Sequence, residues 1–331
     1  MQLADLTGHA DGPPIDTPPR ILDAIHALAA PLGIDPMPRL TERAELWSYG
    51  RNGRTSCAGA TRLLRAEDGW IAASITRPDD EDLVPAWLGC DFEWAAIERA
   101  ISTRSARHAV DQGRLLGLPV ARLGERRTTL PWTRTELGDV APLDRPPVVV
   151  DLSSLWAGPL CTRILCDRGA RVIKVESRTR PDGARRGPVE FFERMHHDKE
   201  FVTIDFTADA VSQLLHQADV VVEGSRPRAL EQLGVDARDV LATGPRVWLS
   251  ITGHGRNDPE RNWVGFGDDA AVAGGLVAYD DSKQPCFLGD AIADPLTGIA
   301  AASAVTEALE DGGRWLIDCN LASVAAYIAG Q

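Results

Sequence analysis

The amino-acid sequence predicts an α/β protein: a Rossmann-like, mostly parallel sheet with helices on both faces, plus a smaller α+β domain. Three observations carry that expectation. From residue 148 onward, short Val/Ile-rich runs recur: "PVVVDLS", "ARVIKVES", "EFVTIDF", "ADVVVEG" and "PRVWLSIT", with "RWLIDCNL" as a sixth. Near-continuous apolar strands are buried on both faces, which is the habit of parallel sheets. Helical stretches, "GPLCTRILCDRG", "ADAVSQLLHQ" and "RALEQLG", lie between several of these runs, the alternation of a doubly wound layer. Ahead of them, residues 39–125 mix hairpin and helix signals and read as a separate small unit.

The elements divide the chain into four parts: an N-terminal segment (1–38), a small α+β domain (39–125), a linker (126–147) and a Rossmann-like CoA-binding domain (148–331), the ligand being implied by the resemblance below. In 1–38, rich in Pro and Asp, "PPRILDAIHALAAPLG" predicts one helix. "GATRLLRAEDGWIAASI" predicts a hairpin turning at Glu67-Asp68-Gly69. "FEWAAIERAISTRSARHAVDQGRLLG" has apolar residues at helical spacing and stops at Gly. Residues 126–147 hold several prolines and no clear period, a linker signature.

Composition sets bounds on function. With 331 residues, 44% apolar and 25% charged, the chain has the make-up of a soluble globular protein. Its formal net charge of −13 argues against nucleic-acid and membrane-surface partners, both of which need a basic face. The N-terminus "MQLADLTGHADGPP" lacks signal-peptide regions, and no apolar run reaches the roughly 18 residues of a membrane span, so the expected location is cytoplasmic. The six cysteines form no CxxC pair; they read as mostly buried free thiols, and no metal site is expected. The seven histidines form no metal-binding pattern, and His196-His197 reads as a surface pair.

Several stretches could carry chemistry. In "DLSSLWAGPLCTRIL" a strand ends, Ala157-Gly158-Pro159 turns, and a helix begins whose free N–H groups could hold phosphate or carbonyl oxygens; a plain tight connection would look the same. "ESRTRPDGARRG" places Arg178, Arg180, Arg185 and Arg186 after a strand, where open α/β sheets bind ligands; a solvated loop is the alternative. "GDAIADPLTGIAAASAV" holds Asp290 and Asp294 just before an apolar helix. Pro295 suits the first helical position, which puts Asp294 at the cap. A cap is one reading. The other is a carboxylate nucleophile that attacks an activated acyl carbon, with nearby N–H groups holding the oxyanion.

These residues, taken together, resemble a family. "VVVDLSSLWAGPLCTRILCDRGARVIKVES", "HHDKEFVTIDF", "ADVVVEGSRPRALEQLG", "PRVWLSITGHG", "GFGDDAAVAGG", "IADPLTG" and "GRWLIDCNLASVAAYIAG" are similar, in order, to blocks of the family III CoA-transferases, the group of formyl-CoA and carnitine CoA-transferases and of alpha-methylacyl-CoA racemase. The resemblance implies an aspartate nucleophile followed four residues later by glycine, which Asp294 and Gly298 match and Asp290 does not. It implies CoA contacts at Trp156 and Ala157, at Arg178, at Ile204, Asp205, Phe206 and Thr207, at Gly224, Ser225 and Arg226, and from Val264 through Gly265 and Phe266 to Gly267. CoA and acyl-CoA are then substrates, with a small carboxylic acid as the other partner and no permanently bound cofactor.

The sequence departs from the family at several points. A glutamine often found at Trp156 is absent, Ser177 stands where arginine is expected, and Gly224 stands where asparagine is expected. Gly267 occupies the position of the racemases' catalytic histidine. "TRLLRAEDGWIAASITRPDD" and "WAAIERAISTRSARHAVDQGRLLGLPVARLGE" resemble the family's small domain but precede the sheet, as in a rearranged chain. Family members form interlocked dimers, so a homodimer is expected. The implied function is CoA transfer from an acyl-CoA donor to a carboxylic acid through an aspartyl anhydride and an aspartyl-CoA thioester. The alternatives are a non-catalytic acyl-CoA-binding homologue or subunit and, further off, an acyl-CoA racemase.

Overall fold

The structure is a computed structural model, described here for residues 1–330. Along the chain, helices α1 (Pro19–Ala29) and α2 (Met37–Trp47) precede hairpin β1 (Thr61–Arg65) and β2 (Trp70–Ser74). Helices α3 (Pro78–Leu88), α4 (Trp94–Ser102) and α5 (Ala106–Leu115) and strand β3 (Val120–Arg122) follow. Next come β4 (Thr133–Gly138), β5 (Val148–Leu152), α6 (Ala157–Asp167), β6 (Arg171–Ser177), α7 (Val189–His196), β7 (Glu200–Ile204), α8 (Ala208–Leu215) and β8 (Val220–Glu223). The chain then runs through α9 (Arg228–Glu231), α10 (Ala237–Thr243), β9 (Val247–Thr252), α11 (Gly267–Ala273), hairpin β10 (Val277–Tyr279) and β11 (Pro285–Phe287), α12 (Ala293–Asp311), β12 (Arg314–Asn320) and α13 (Leu321–Ala329).

All six Val/Ile-rich runs are strands of one seven-stranded sheet, ordered β4-β12-β9-β8-β5-β6-β7. Every pair is parallel except β12 with β4. Successive residues of each strand face opposite layers. Val149, Val220 and Leu249 pack with α1, α6, α12 and α13, while Val150, Val221 and Trp248 pack with α8, α9 and α10. The sheet is therefore covered on both faces, as the sequence predicts.

Three details differ from the sequence-based expectation. Strand β4 lies in the stretch read as a linker; its mostly exposed residues give no apolar period, and pairing with β12 alone makes it a strand. The long helical stretch breaks into α4 and α5, because Ser105 caps a new helix by accepting from the His108 N–H at 3.3 Å. His196 is buried rather than on the surface, next to Lys199 and Asp182. It belongs to a buried polar network in which Asp151 accepts from Ser153, Thr162 and Lys199, and Lys174 donates to Asp182 at 3.0 Å. Asp182 in turn accepts from the Leu155 and Ala184 N–H groups, both at 2.9 Å, so the network fixes the loops leaving β5 and β6.

Strands β1, β2 and β3 form a separate antiparallel sheet with its own core, including Leu64, Ile71, Ile97, Ile101, Val110 and Val120. Leu63 and Ala72 on the other face of that sheet pack on Val272, Val277 and Phe287, which seats the small unit against α11 and the β10–β11 hairpin. The first fifty residues join the main core instead: Leu3, Ile21, Ile25, Leu28 and Leu40 pack with α6 and α12. Among the described residues no helix is long and apolar enough to cross a membrane.

Candidate active site

Helix α12 starts two residues earlier than the sequence suggests. Ile292 is its N-cap and Asp294 its second residue, so Asp294 is not the cap. The preceding turn is tightly held. Ala291 has φ +43°, in the left-handed region; its N–H donates to Asp268 at 3.0 Å and its carbonyl accepts from the Asp294 N–H at 2.9 Å.

The spacing from Asp294 to Gly298 has a packing reason. One turn into α12, a Cβ at Gly298 would sit 2.8 Å from the Ala157 carbonyl oxygen and 2.9 Å from Leu160 Cβ. Only glycine lets the first turn of α6 lie against the first turn of α12, bringing the Trp156-Ala157 turn close to Asp294. A second close approach occurs at Gly267, the first residue of α11: a Cβ there would overlap Asp294 Oδ2 and the Ala291 carbonyl. The N-termini of α11 and α12 therefore meet at Asp294, and a histidine does not fit at 267 in this arrangement.

Four aspartates gather here, in different states. Asp290 is fully buried and held by a two-pronged ion pair from Arg43 on α2: Nε to Oδ2 at 2.7 Å and Nη2 to Oδ1 at 2.5 Å. Arg43 also lies over the Trp156 ring, 5.0 Å from its centroid. Asp268 accepts from Ala291 N–H and from Thr61 Oγ1 at 3.1 Å. Asp269 accepts from Ser74 Oγ at 2.7 Å and from the Phe266 N–H at 3.0 Å, and its other oxygen has no partner. Asp294 is the most exposed of the four and only partly buried; Asp268 keeps 9% of its surface, and Asp269 and Asp290 keep none.

Burial pushes the Asp294 carboxyl up to about 7; Arg43 pulls it down, Asp268 and Asp290 push it further up, and the Gly267 amide pulls it down. Burial and the Asp290 charge raise Asp268 to about 6, against Arg43, Thr61 and the Ala291 amide. Burial raises Asp269 to about 7, against its two hydrogen bonds, with Asp268 adding to the rise. A carboxyl that holds its proton more tightly when folded loses stability for the protein as pH rises from the unfolded value near 4 to the folded value. Asp269→Asn removes that loss. The variant is expected to come nearest to the wild type at or below pH 4 and to exceed it at pH 8 by about 1 kcal/mol or more in urea unfolding; lower stability than wild type at pH 8 contradicts this account of the cluster.

The residues implied as CoA contacts are spread along the carboxyl edge of the sheet. Trp156 and Ala157 are buried, the tryptophan ring lying under Arg43 and edge-on to Phe191, so the side chains serve the core and only their turn faces the edge. Arg178 and Asp205 are exposed and 3.6 Å apart, just past the paired ends of β6 and β7. Ile204 and Phe206 are partly buried and pack with Val202 against the α8 face of the core, and Thr207 caps α8 by accepting from the Ala210 N–H. Gly224 and Arg226 are exposed, and Ser225 leans back to Glu223 at 3.3 Å. Val264, Gly265 and Phe266 are partly buried and lead into Gly267 at the start of α11. Arg185 is exposed, paired with Glu176 and stacked 4.0 Å from the Phe192 centroid.

Sequence reasoning missed one group. Arg43, Thr61 and Ser74 lie more than 190 residues from the aspartates they touch, and no local pattern marks them. Arg226 also sits among like charges: burial lowers its pKa first, and Arg228, Arg77 and Arg180 lower it further. Arg180, Arg226 and Arg228 have no acidic partner within 4.0 Å among the described residues.

The fold is a doubly wound α/β layer, and its Asp294 turn lies where the N-termini of α11 and α12 meet. Residues 147–331, more than half of the chain, match the family described as CoA-transferase family III, and the chain belongs to that family. A Fusarium pseudograminearum protein named acyl-CoA transferase is 31% identical over 199 residues, covering 52% of this chain and 44% of that one. Succinyl-CoA–D-citramalate CoA-transferase of Chloroflexus aurantiacus is 30% identical over 180 residues, covering 50% and 45%. The crystal structure of a CaiB/BaiF family protein from Brucella suis superposes with TM-score 0.50 at 30% identity, covering 54% of this chain and 53% of that one. The chain thus spans about half the length of the curated relatives it matches.

Proposed function

We propose that the protein is a CoA-transferase that moves CoA from an acyl-CoA donor to a carboxylic acid, with Asp294 as nucleophile. The observation that carries this reading is the contrast within one cluster: Asp290 is fully buried and ion-paired, whereas Asp294 is only partly buried, has no ion-pair partner among the described residues and lies at the junction of two helix N-termini.

Asp294 attacks the donor thioester carbonyl, forming an aspartyl–acyl anhydride and expelling CoA thiolate. The thiolate attacks the aspartyl carbonyl, giving an aspartyl-CoA thioester and releasing the donor acid. The acceptor carboxylate attacks that thioester to form a second anhydride, and CoA thiolate then attacks its acyl carbon, yielding the new acyl-CoA and free Asp294. Each step exchanges one activated acyl bond for another, so the thioester's free energy is not lost to water. The Gly267 amide at the start of α11, which acts on the Asp294 carboxyl, is the donor this reading assigns to the developing oxyanion. The CoA phosphates are assigned to Arg180, Arg226 and Arg228 at the sheet edge, a cluster of like charge whose repulsion an anion relieves.

The reacting form of Asp294 is the carboxylate, and its pKa is raised to about 7. The transfer rate is therefore expected to fall about tenfold per pH unit below 7 and to level off above it; a rate unchanged between pH 5 and 8 contradicts this assignment. The reading itself is tested with a panel of acyl-CoA donors crossed with carboxylate acceptors, read as new acyl-CoA by mass. Transfer to at least one acceptor supports the enzyme. CoA binding with no transfer across the panel favours the non-catalytic homologue. The same reading includes a homodimer in which a second copy packs on this one, and a stable monomer in sedimentation at micromolar concentration would overturn that part.

A further inference from the structure

Three residues from two distant segments bring metal-binding atoms to one point: His9 in the N-terminal loop, and Asp280 at the tip of the β10–β11 hairpin with Cys286 on β11. His9 Nε2 lies 3.0 Å from Asp280 Oδ2 and 3.7 Å from Cys286 Sγ, and all three atoms fall within 4.8 Å of one another. Tetrahedral zinc binds nitrogen and oxygen at about 2.0–2.2 Å and thiolate sulfur at about 2.3 Å, which spaces ligand atoms about 3.3–3.6 Å apart. The two separations from His9 Nε2 are close to those edges.

In the absence of an ion, a protonated His9 Nε2 donates to Asp280 Oδ2 and shares that N–H with Cys286 Sγ, a weak acceptor. A cation replaces that shared proton with three ligand bonds. The surroundings leave the right atoms free. Asp280 Oδ1 is occupied by the Ser282 and Gln284 N–H groups, both at 2.9 Å, so Oδ2 alone turns to His9. The His9 carbonyl accepts from the Gly12 N–H at 3.1 Å and Arg51 Nε at 3.2 Å, which fixes its loop. Gly53 has no side chain where a Cβ would come 2.5 Å from His9 Nδ1.

We infer that His9, Asp280 and Cys286 form a binding site for a zinc-class divalent cation that staples the N-terminal loop to the β10–β11 hairpin. On binding, the Cys286 thiol gives up its proton to solvent. Thiolate and carboxylate then balance the two charges of the ion, and the imidazole binds as the neutral ring. His9 is half exposed, which leaves the fourth position to water. The hairpin leads directly into the Asp290 turn, so the staple supports the approach to α12 without touching it. A hard cation such as magnesium is disfavoured by the thiolate and imidazole donors.

The full chain, reduced and stripped with chelator, is titrated with Zn²⁺ and with Co²⁺. The expected result is one equivalent bound at micromolar concentration or tighter, a thiolate-to-cobalt charge-transfer absorption with tetrahedral ligand-field bands, and no competition from Mg²⁺. Cys286→Ser abolishes the charge-transfer band, His9→Ala weakens binding by about a hundredfold or more, and Cys90→Ser changes neither. His9 is a half-exposed loop residue, so His9→Ala keeps the test valid should Cys286→Ser fail to fold. No stoichiometric binding, or binding that survives His9→Ala, overturns the inference.

Discussion

Asp294→Asn is expected to abolish acyl transfer, by about a thousandfold or more, the scale of losing a nucleophile, while leaving folding and CoA binding in place. An amide does not form the anhydride. It does keep the shape of the side chain, and Asp294 makes no capping bond for α12 to lose, since Ile292 is the N-cap. A purely structural role forecasts the reverse: a stability change of a few tenths of a kcal/mol from the helix dipole and an active protein. The variant is not expected to lose stability at pH 8, because it removes a carboxyl whose burial and acidic neighbours raise its pKa to about 7. Deamidation back to aspartate has to be excluded by mass before residual activity is interpreted.

Arg43→Ala is expected to cost about 3–5 kcal/mol, the price of leaving one member of a buried ion pair alone. Asp290 has no accessible surface and two short bonds to that guanidinium, so the substitution strands a carboxylate away from water. The cost is expected to be smaller at pH 5 than at pH 8, because the orphaned acid can then take up a proton. Activity is expected to fall as well, since Arg43 lowers the pKa of Asp294 and sits between Trp156 and the Asp290 turn. A loss below about 1 kcal/mol at pH 8 in urea unfolding means that the pair does not clamp the turn.

The sheet was readable in the sequence because parallel strands are buried on both faces and so concentrate Val and Ile in short runs such as Val148–Val150 and Val220–Val222. Strand β4 escaped because an edge strand with one partner needs no apolar period, and "TRTELG" has none. The Asp294 turn was visible through local chemistry: acid, proline and glycine at fixed spacing before a run of small residues. Its exact register was not, because Pro295 is tolerated in the first turn without having to open it. Arg43 and the His9, Asp280 and Cys286 group were illegible for a different reason. Their partners lie between 247 and 277 residues away, and only the fold brings them together. His196 was misread because a neighbouring pair of polar side chains carries no sign of which one turns inward to Lys199 and Asp182.

The central claim is that Asp294 itself carries the acyl chemistry. Wild type and Asp294→Asn are incubated with an acyl-CoA that the donor panel shows to be used, hydroxylamine is added, and the protein is digested and sequenced by mass spectrometry. The account predicts a hydroxamate on Asp294 in the wild type, formed only when acyl-CoA is present, and none at Asp290 or in the variant. A hydroxamate on Asp290, or steady transfer by the wild type with Asp294 never modified, would contradict it.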